Sequence, residues 1–277
     1  MKQDGIVVKK AVYIALGVIM TGEKEILVFY NIGDSESVKY WTSILNDIKN
    51  KGFIKQEYLD SGGAGKMLEK LLGKKLDNKS KPDYKDVELK VSNKNTKYPV
   101  SLISITPKNS INVNSIEYLI KNFSHNGCDE KTKNNKYING IISTKETKYT
   151  NKNTGFKLEL NKNDKKIYLL IIKNKKIISK DFYWDLNEIK EKIKYLVLVI
   201  AETKKINKIT HCKYNEIMYY KLRNFDFFID ALQEGYIKVT FSIKMNENNK
   251  ITYHGTRFCI DIKNLINIYM KVHIKAK

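Results

Sequence analysis

Between positions 82 and 90 the chain reads Pro-Asp-Tyr-Lys-Asp-Val-Glu-Leu-Lys, and a helix-like stretch just upstream carries Glu69. Glu88 and Lys90 lie two apart in a run with strand character, which places both side chains on the same face of a sheet. Hydrolysis of a phosphodiester needs oxygen ligands that hold Mg²⁺ against the scissile phosphate, and a means of making hydroxide near neutral pH. Asp83, Glu88 and the backbone carbonyl of Leu89 have the donor atoms for that ion. Lys90 could orient or deprotonate the attacking water and offset the charge that grows on the phosphorane. Glu69, brought in from the helix, could complete the site as an outer ligand or as a ligand of a second ion. A lysine-rich chain also produces Glu-x-Lys by chance, and the plain alternative is a solvated strand face bearing an ion pair.

Near the other end, Ile251 to Ile260 reads ITYHGTRFCI. His254 can donate or accept at a base edge, Thr256 can hydrogen-bond a base or a phosphate, and Arg257 can hold guanine through paired donors or clamp a phosphate. Gly255 would let the backbone come close. Taken alone, His254 is as easily a partly buried polar residue on an edge strand. His211 beside Cys212, and His125 near Cys128, lack further ligands at zinc-like spacing and read as structural.

The elements that must position these residues follow from periodicity. Residues 6 to 54 read as strand, strand, helix: VVKKAVYIALGVIM, a TGEK turn, EILVFYNI, then SVKYWTSILNDIKNKG with Val38, Trp41, Ile44, Leu45 and Ile48 on one helical face. Gly52 stands where that helix would end. A glycine-rich entry then leads to a helix with Met67, Leu68, Leu71 and Leu72 on its apolar side, and a polar linker with Pro82 leads to strands VELKV and YPVSLISI. Further strands are expected at Tyr137 to Ser143, Phe156 to Leu160, Ile167 to Ile172, Tyr195 to Ala201, Tyr236 to Met245 and Ile251 to Ile260. Helices are expected at Asn187 to Lys194, Phe225 to Glu234 and Ile262 to Met270, with Tyr183 and Trp184 packing inside. This is a mixed α+β pattern with a largely antiparallel sheet.

The glycines of Ser61-Gly-Gly-Ala-Gly-Lys66 invite comparison with a phosphate-binding loop, but the pattern fails. With Gly65-Lys66 as the Gly-Lys pair, the first glycine falls on Asp60 and the hydroxyl position on Met67. The glycines are expected instead to let the backbone bend into the helix.

At 277 residues the chain can hold one large domain or two with separate cores. Its 42% hydrophobic content, with 18 tyrosines and 10 phenylalanines, excludes a disordered tail. A formal charge of +21 favours a polyanionic partner, although lysine, asparagine and isoleucine abound throughout, as an A- and T-rich coding bias would produce. The 3 cysteines, Cys128, Cys212 and Cys259, are far apart and odd in number, which fits a reducing cytoplasm rather than a disulfide framework. Met1 to Lys10 is polar and the apolar run Ala11 to Met20 is too short to cross a bilayer, so no membrane partner is expected.

Two resemblances join these observations. The arrangement GxGxxxE, LLG, PD and VELKV, followed by IMYYKLRNFDFFIDALQEGYIKVTFSI and ITYHGTRFCI, resembles the MvaI/BcnI group of type II restriction endonucleases, with the mismatch-repair nickase MutH as a more distant relative. The resemblance implies a PD-(D/E)xK restriction-endonuclease-like mixed sheet flanked by helices, in two lobes around a DNA cleft. It also implies that Glu69, Asp83, Glu88 and Lys90 form the active site and that the His-Gly-Thr block lies against DNA. Cys259 departs from it, standing where relatives are expected to carry arginine. Residues KKAVYIALGV, EILVFY and ESVKYWTSILNDIKNKGF resemble the middle of the catalytic domain of mutator-type insertion-sequence transposases. The acidic residues that family needs are not in place: one would precede the first strand, and Asp60 lies at the wrong offset for another.

The expected organisation is therefore a truncated transposase-like ββα fragment at 1–55, a nuclease catalytic lobe at 56–180 and a DNA-recognition lobe at 181–277. The expected function is a Mg²⁺-dependent type II restriction endonuclease acting on double-stranded DNA at a short sequence. As the resemblance implies, it would be a monomer cutting the two strands in turn; a companion DNA methyltransferase is a further candidate partner. The alternative is a catalytically inactive DNA-binding remnant or a transposase-derived fusion protein.

Overall fold

The computed structural model describes residues 2–3, 6–7, 12–18, 24–31, 38–60, 62–73 and 87–272, and side chains from residue 44 onward within those ranges. Asp83 and the linker around Pro82 lie outside the described residues. The first half of the chain holds β1 (Lys2–Gln3), β2 (Ile6–Val7), β3 (Val12–Val18), β4 (Lys24–Asn31), α1 (Val38–Asn50), β5 (Ile54–Lys55), α2 (Gly63–Leu71), β6 (Val87–Asn93), β7 (Val100–Ser104), β8 (Lys108–Asn109), α3 (Ser115–Phe123), β9 (His125–Asn126) and β10 (Lys136–Ile142). The second half holds β11 (Lys148–Tyr149), β12 (Thr154–Asn161), β13 (Lys166–Lys173), β14 (Lys176–Asp185), α4 (Leu186–Lys192), β15 (Tyr195–Ile206), β16 (Ile209–Leu222), α5 (Phe225–Gln233), β17 (Ile237–Met245), β18 (Ile251–Tyr253), β19 (Arg257–Ile260), a 3₁₀ turn at Ile262–Asn267 and β20 (Tyr269–Val272). The architecture is mixed α+β, with several sheets and few helices.

Three sheets carry the described nuclease-like part. One runs β7-β19-β17-β10-β9 with β18 on β17; a second runs β11-β12-β13-β14-β8; the third runs β20-β16-β15-β6 with β5 on β16. The first two pack face to face. Trp184 of β14 meets Phe258 and Phe241 edge-on, with ring centroids 5.5 and 6.1 Å apart, and its indole N–H donates to the Ile105 carbonyl at 2.9 Å. Burying so large a ring is compatible with satisfying its one polar group only through such a bond.

The third sheet separates two cores because side chains alternate along a strand. In β15, Leu196 and Leu198 enter the larger core, while Val197, Val199 and Ala201 enter a smaller one built with α1 and α2. Leu45 and Ile48 of α1 are buried in that smaller core beside Val87, Leu89 and Tyr214. The helix from the transposase-like segment is thus packed onto the nuclease sheet, and Gly52 follows it with φ +70, as a helix end requires.

The sheet pairings cross the expected boundary at 180. Strand β6 lies parallel to β15, and β19 pairs with β7, so the strands expected to recognise DNA and those expected to cut it are interleaved. Three further differences have local causes. The expected strand Ile251 to Ile260 is interrupted at 254–256, and the expected helix from Ile262 becomes a 3₁₀ turn followed by β20. Helix α3 was not expected; Asn114 caps it by accepting the Glu117 N–H at 3.1 Å, and Ile116, Leu119 and Ile120 form its buried stripe. No helix among the described residues is long and apolar enough to cross a membrane.

Removing side chain from α1 tests its place in the core. Leu45→Ala and Ile48→Ala should each lower unfolding stability by about 2–5 kcal/mol, read from the shift of the denaturant midpoint. A separate, non-interacting N-terminal fragment would leave the midpoint of the main transition where it is.

Candidate active site and DNA interface

The alternation of β6 sets the site. Val87 and Leu89 are buried against α2 and β15, so Glu88 and Lys90 point to the opposite face. There the Lys90 ammonium donates to the Glu88 carboxylate. The pair is only partly solvated, with side-chain exposures of 15% for Glu88 and 28% for Lys90. Register places Glu88 beside Leu196 and Lys90 beside Leu198, so the two charges stand at the margin of the larger core.

Their neighbours are drawn from distant parts of the chain. Tyr269 of β20 is fully buried and donates its hydroxyl to the Ile193 carbonyl at 3.0 Å. Burial pushes its phenol well above the ordinary value, and the Glu88 carboxylate adds to the rise. On the other flank lies Cys259 of β19. Burial pushes that thiol up; the Thr240 hydroxyl and the positive charges of Arg257 and Lys90 oppose the shift without cancelling it. Lys90 is therefore within electrostatic reach of the strand that carries Arg257, and the two blocks singled out in the sequence lie near one another.

Glu69 is placed less simply. It lies half-buried on α2, one residue beyond Leu68, and Met67 and Leu68 pack against the Val87 and Leu89 side of β6. That is the face opposite Glu88 and Lys90. Among the described residues β6 is the last strand of its sheet, so Glu69 can join the pair only by passing that edge. Leu89, its side chain buried, can offer only its carbonyl. Of the glycines before Glu69, Gly63 is required by close approach: a Cβ there would collide with the Tyr58 carbonyl and the Gln56 amide, whereas Gly65 has open space around it. The Tyr214 hydroxyl, donating to the Ala64 carbonyl at 2.8 Å, fixes the start of the helix to β16.

The His-Gly-Thr block forms the link between β18 and β19. His254 is exposed, and its backbone N–H donates to the Ser242 carbonyl at 3.2 Å. Gly255 has φ +84, and a Cβ there would sit 2.5 Å from the Ser104 hydroxyl, so only glycine fits without displacement. Thr256 corrects an expectation. It is completely buried, and its hydroxyl pairs with that of Tyr253 at 2.6 Å, so the side chain supports the link from inside instead of facing DNA. Arg257 is exposed on the outer face of β19.

The sequence and fold define the class at this point. Residues 42–269 match the model of the MvaI/BcnI restriction endonuclease family. The chain belongs to that family. In fold it is similar to a restriction endonuclease MvaI–cognate DNA substrate complex, with a TM-score of 0.74 and 22% identity over 87% of this chain and 99% of that one. Residues 1–72 match the Mutator family of transposases. Within that segment the chain is 43% identical over 51 residues to a transposase for insertion sequence element ISRM3 from Rhizobium meliloti (strain 1021). It is 41% identical over the same length to a probable ISRM3-like transposase from Sinorhizobium fredii (strain NBRC 101917 / NGR234). These matches take in 18% of this chain, and the chain spans 12% of the length of each transposase.

Two measurements check the geometry. Gly255→Ala should destabilise the protein by about 1–3 kcal/mol in thermal or chemical melts, and Ser104→Ala in the same chain should restore part of the loss by removing the collision. Titration of the folded protein with a thiol reagent should modify Cys128, which is exposed, while Cys212 and Cys259 react only on unfolding because burial raises both thiols.

Proposed function

We propose that this chain is a Mg²⁺-dependent type II restriction endonuclease that hydrolyses double-stranded DNA at a short sequence. The observation that carries the reading is the Glu88–Lys90 pair, held on one face of β6 at the margin of the larger core. Membership of the family supports it, and the relative seen with cognate DNA shares the fold.

The donor set suits a hard divalent cation: the Glu88 carboxylate, the Leu89 carbonyl, and Glu69 and Asp83 where they reach it are all oxygen ligands. Among the described residues no three His, Cys, Asp or Glu side chains gather into a metal-binding group, so Asp83, outside them, is the ligand on which a complete set turns. Bound Mg²⁺ would supply Lewis acidity and lower the pKa of a coordinated water. Lys90, adjacent to Glu88, holds the attacking water and opposes the negative charge that accumulates as water adds to phosphorus and one P–O bond breaks. His254 and Arg257 contact DNA, as their exposure allows. The protein acts as a monomer on its site in the cytoplasm, and a companion methyltransferase protects host DNA.

Plasmid cleavage in Mg²⁺ should fall by at least about 10²-fold in Glu88→Ala and Lys90→Ala, the scale of losing one electrostatic contributor to a transition state. Calorimetry with Mn²⁺ alone should show binding that Glu88→Ala abolishes, a readout independent of turnover. Retained sequence-specific binding with no cleavage in any divalent ion would favour the inactive DNA-binding remnant. Unchanged cleavage in Glu69→Ala would remove that residue from the site.

A further inference from the structure

The sheet β7-β19-β17-β10-β9 has one face buried against its partner sheet, while the other face is largely open along β17 and β10 and closed over Cys259 of β19. Along β17 the buried set is Ile237, Val239, Phe241, Ile243 and Met245, and the bare set is Lys238, Thr240, Ser242 and Lys244. Register carries the bare face sideways: Arg257 lies opposite Thr240 on one side, and Asn139 lies opposite Ser242 on the other. None of the strands of this sheet, β18 included, contains an aspartate or glutamate, while Lys238, Lys244 and Arg257 stand on the bare side by register. The face adjoins the candidate active site: β7, which pairs with β19, packs beside β6, and Cys259, 3.9 Å from the Thr240 hydroxyl, also feels the charge of Lys90.

A duplex seated on Glu88 and Lys90 would find this surface close by; its charge is complementary to phosphate, and its upright side chains are hydrogen-bonding groups apart from the exposed Ile141. Asn139 stands out among them. It is exposed and lines a hollow of about 470 Å³ with Ile141, Lys148 and Lys238, where Glu146 from the β10–β11 connection is the one carboxylate. Its amide makes no side-chain hydrogen bond among the described residues. Counting two strands across and two residues along, it stands roughly 12 Å from Arg257, a span of about three or four base-pair steps. An amide with donor and acceptor side by side matches the N6 and N7 edge of adenine, as a guanidinium matches O6 and N7 of guanine.

We propose that the bare face of this sheet reads the DNA sequence, with Asn139 as a specificity-determining residue for an adenine-containing base pair and Lys238 as a phosphate contact. The assignment rests on the reading of the chain as a site-specific DNA-binding nuclease. Its test separates recognition from cutting.

The full-length protein, in Ca²⁺ to prevent cleavage, selects duplexes from a random pool, and the retained fraction is sequenced; Mg²⁺ cleavage is measured separately. The unaltered protein should enrich a short motif. Asn139→Ala should keep the same thermal stability and lose about 5- to 150-fold discrimination at one position containing adenine, with the rest of the motif retained. Lys238→Gln should weaken binding to all sequences alike and lower the slope of log affinity against log salt by about one. An Asn139→Ala motif identical to that of the unaltered protein, a uniform loss at every position, or no motif with the unaltered protein would each overturn the assignment. Motif enrichment without cleavage in Mg²⁺ would instead sink the catalytic reading and leave this one standing.

Discussion

The pleat of β6 is the constraint on which the rest depends. With a side-chain period of two, Val87 and Leu89 can enter the smaller core only if Glu88 and Lys90 face away from it. The parallel bond ladder to β15 then fixes how far along the sheet the charges stand. A slip of one residue would bury both charges against α2 and expose two apolar side chains, so core packing and site geometry are specified by the same register.

A carboxylate and an ammonium that are mostly withdrawn from water need each other. Desolvation of either alone would be expensive, and their contact offsets part of it without making the pair a strong source of stability. Placing such a pair at the margin of a core, on a strand whose register is fixed, restricts its orientation while leaving it partly exposed. The neighbouring sheet contributes a complementary property, strands that carry lysine and arginine but no carboxylate.

The N-terminal segment shows how a foreign piece of chain can be retained. The Mutator match runs to residue 72 and the nuclease match begins at residue 42, so α1 from Leu45 onward, β5 and α2 fall within both. Leu45 and Ile48 are buried against the nuclease sheet, and β5 adds to the edge of β16. An apolar helical face that would otherwise lie open to solvent is thereby covered.

The sequence by itself determined the elements whose signals are local. The helical stripe of Val38 to Ile48, the alternation at Val87 to Lys90 and the stop at Gly52 were legible, and the motifs were specific enough to indicate the family. Strand β16 was not legible, because tyrosines and polar residues break its alternation and its hairpin turn rests on Asn207 and Lys208 adopting positive φ. Only the tertiary structure decided that Thr256 is an interior residue, that the helix carrying Glu69 packs on the face of β6 opposite Glu88 and Lys90, and that strands from the two halves of the chain interleave. Those outcomes depend on pairings between residues remote in sequence, whose free energy comes from shared burial and appears only once the sheets close.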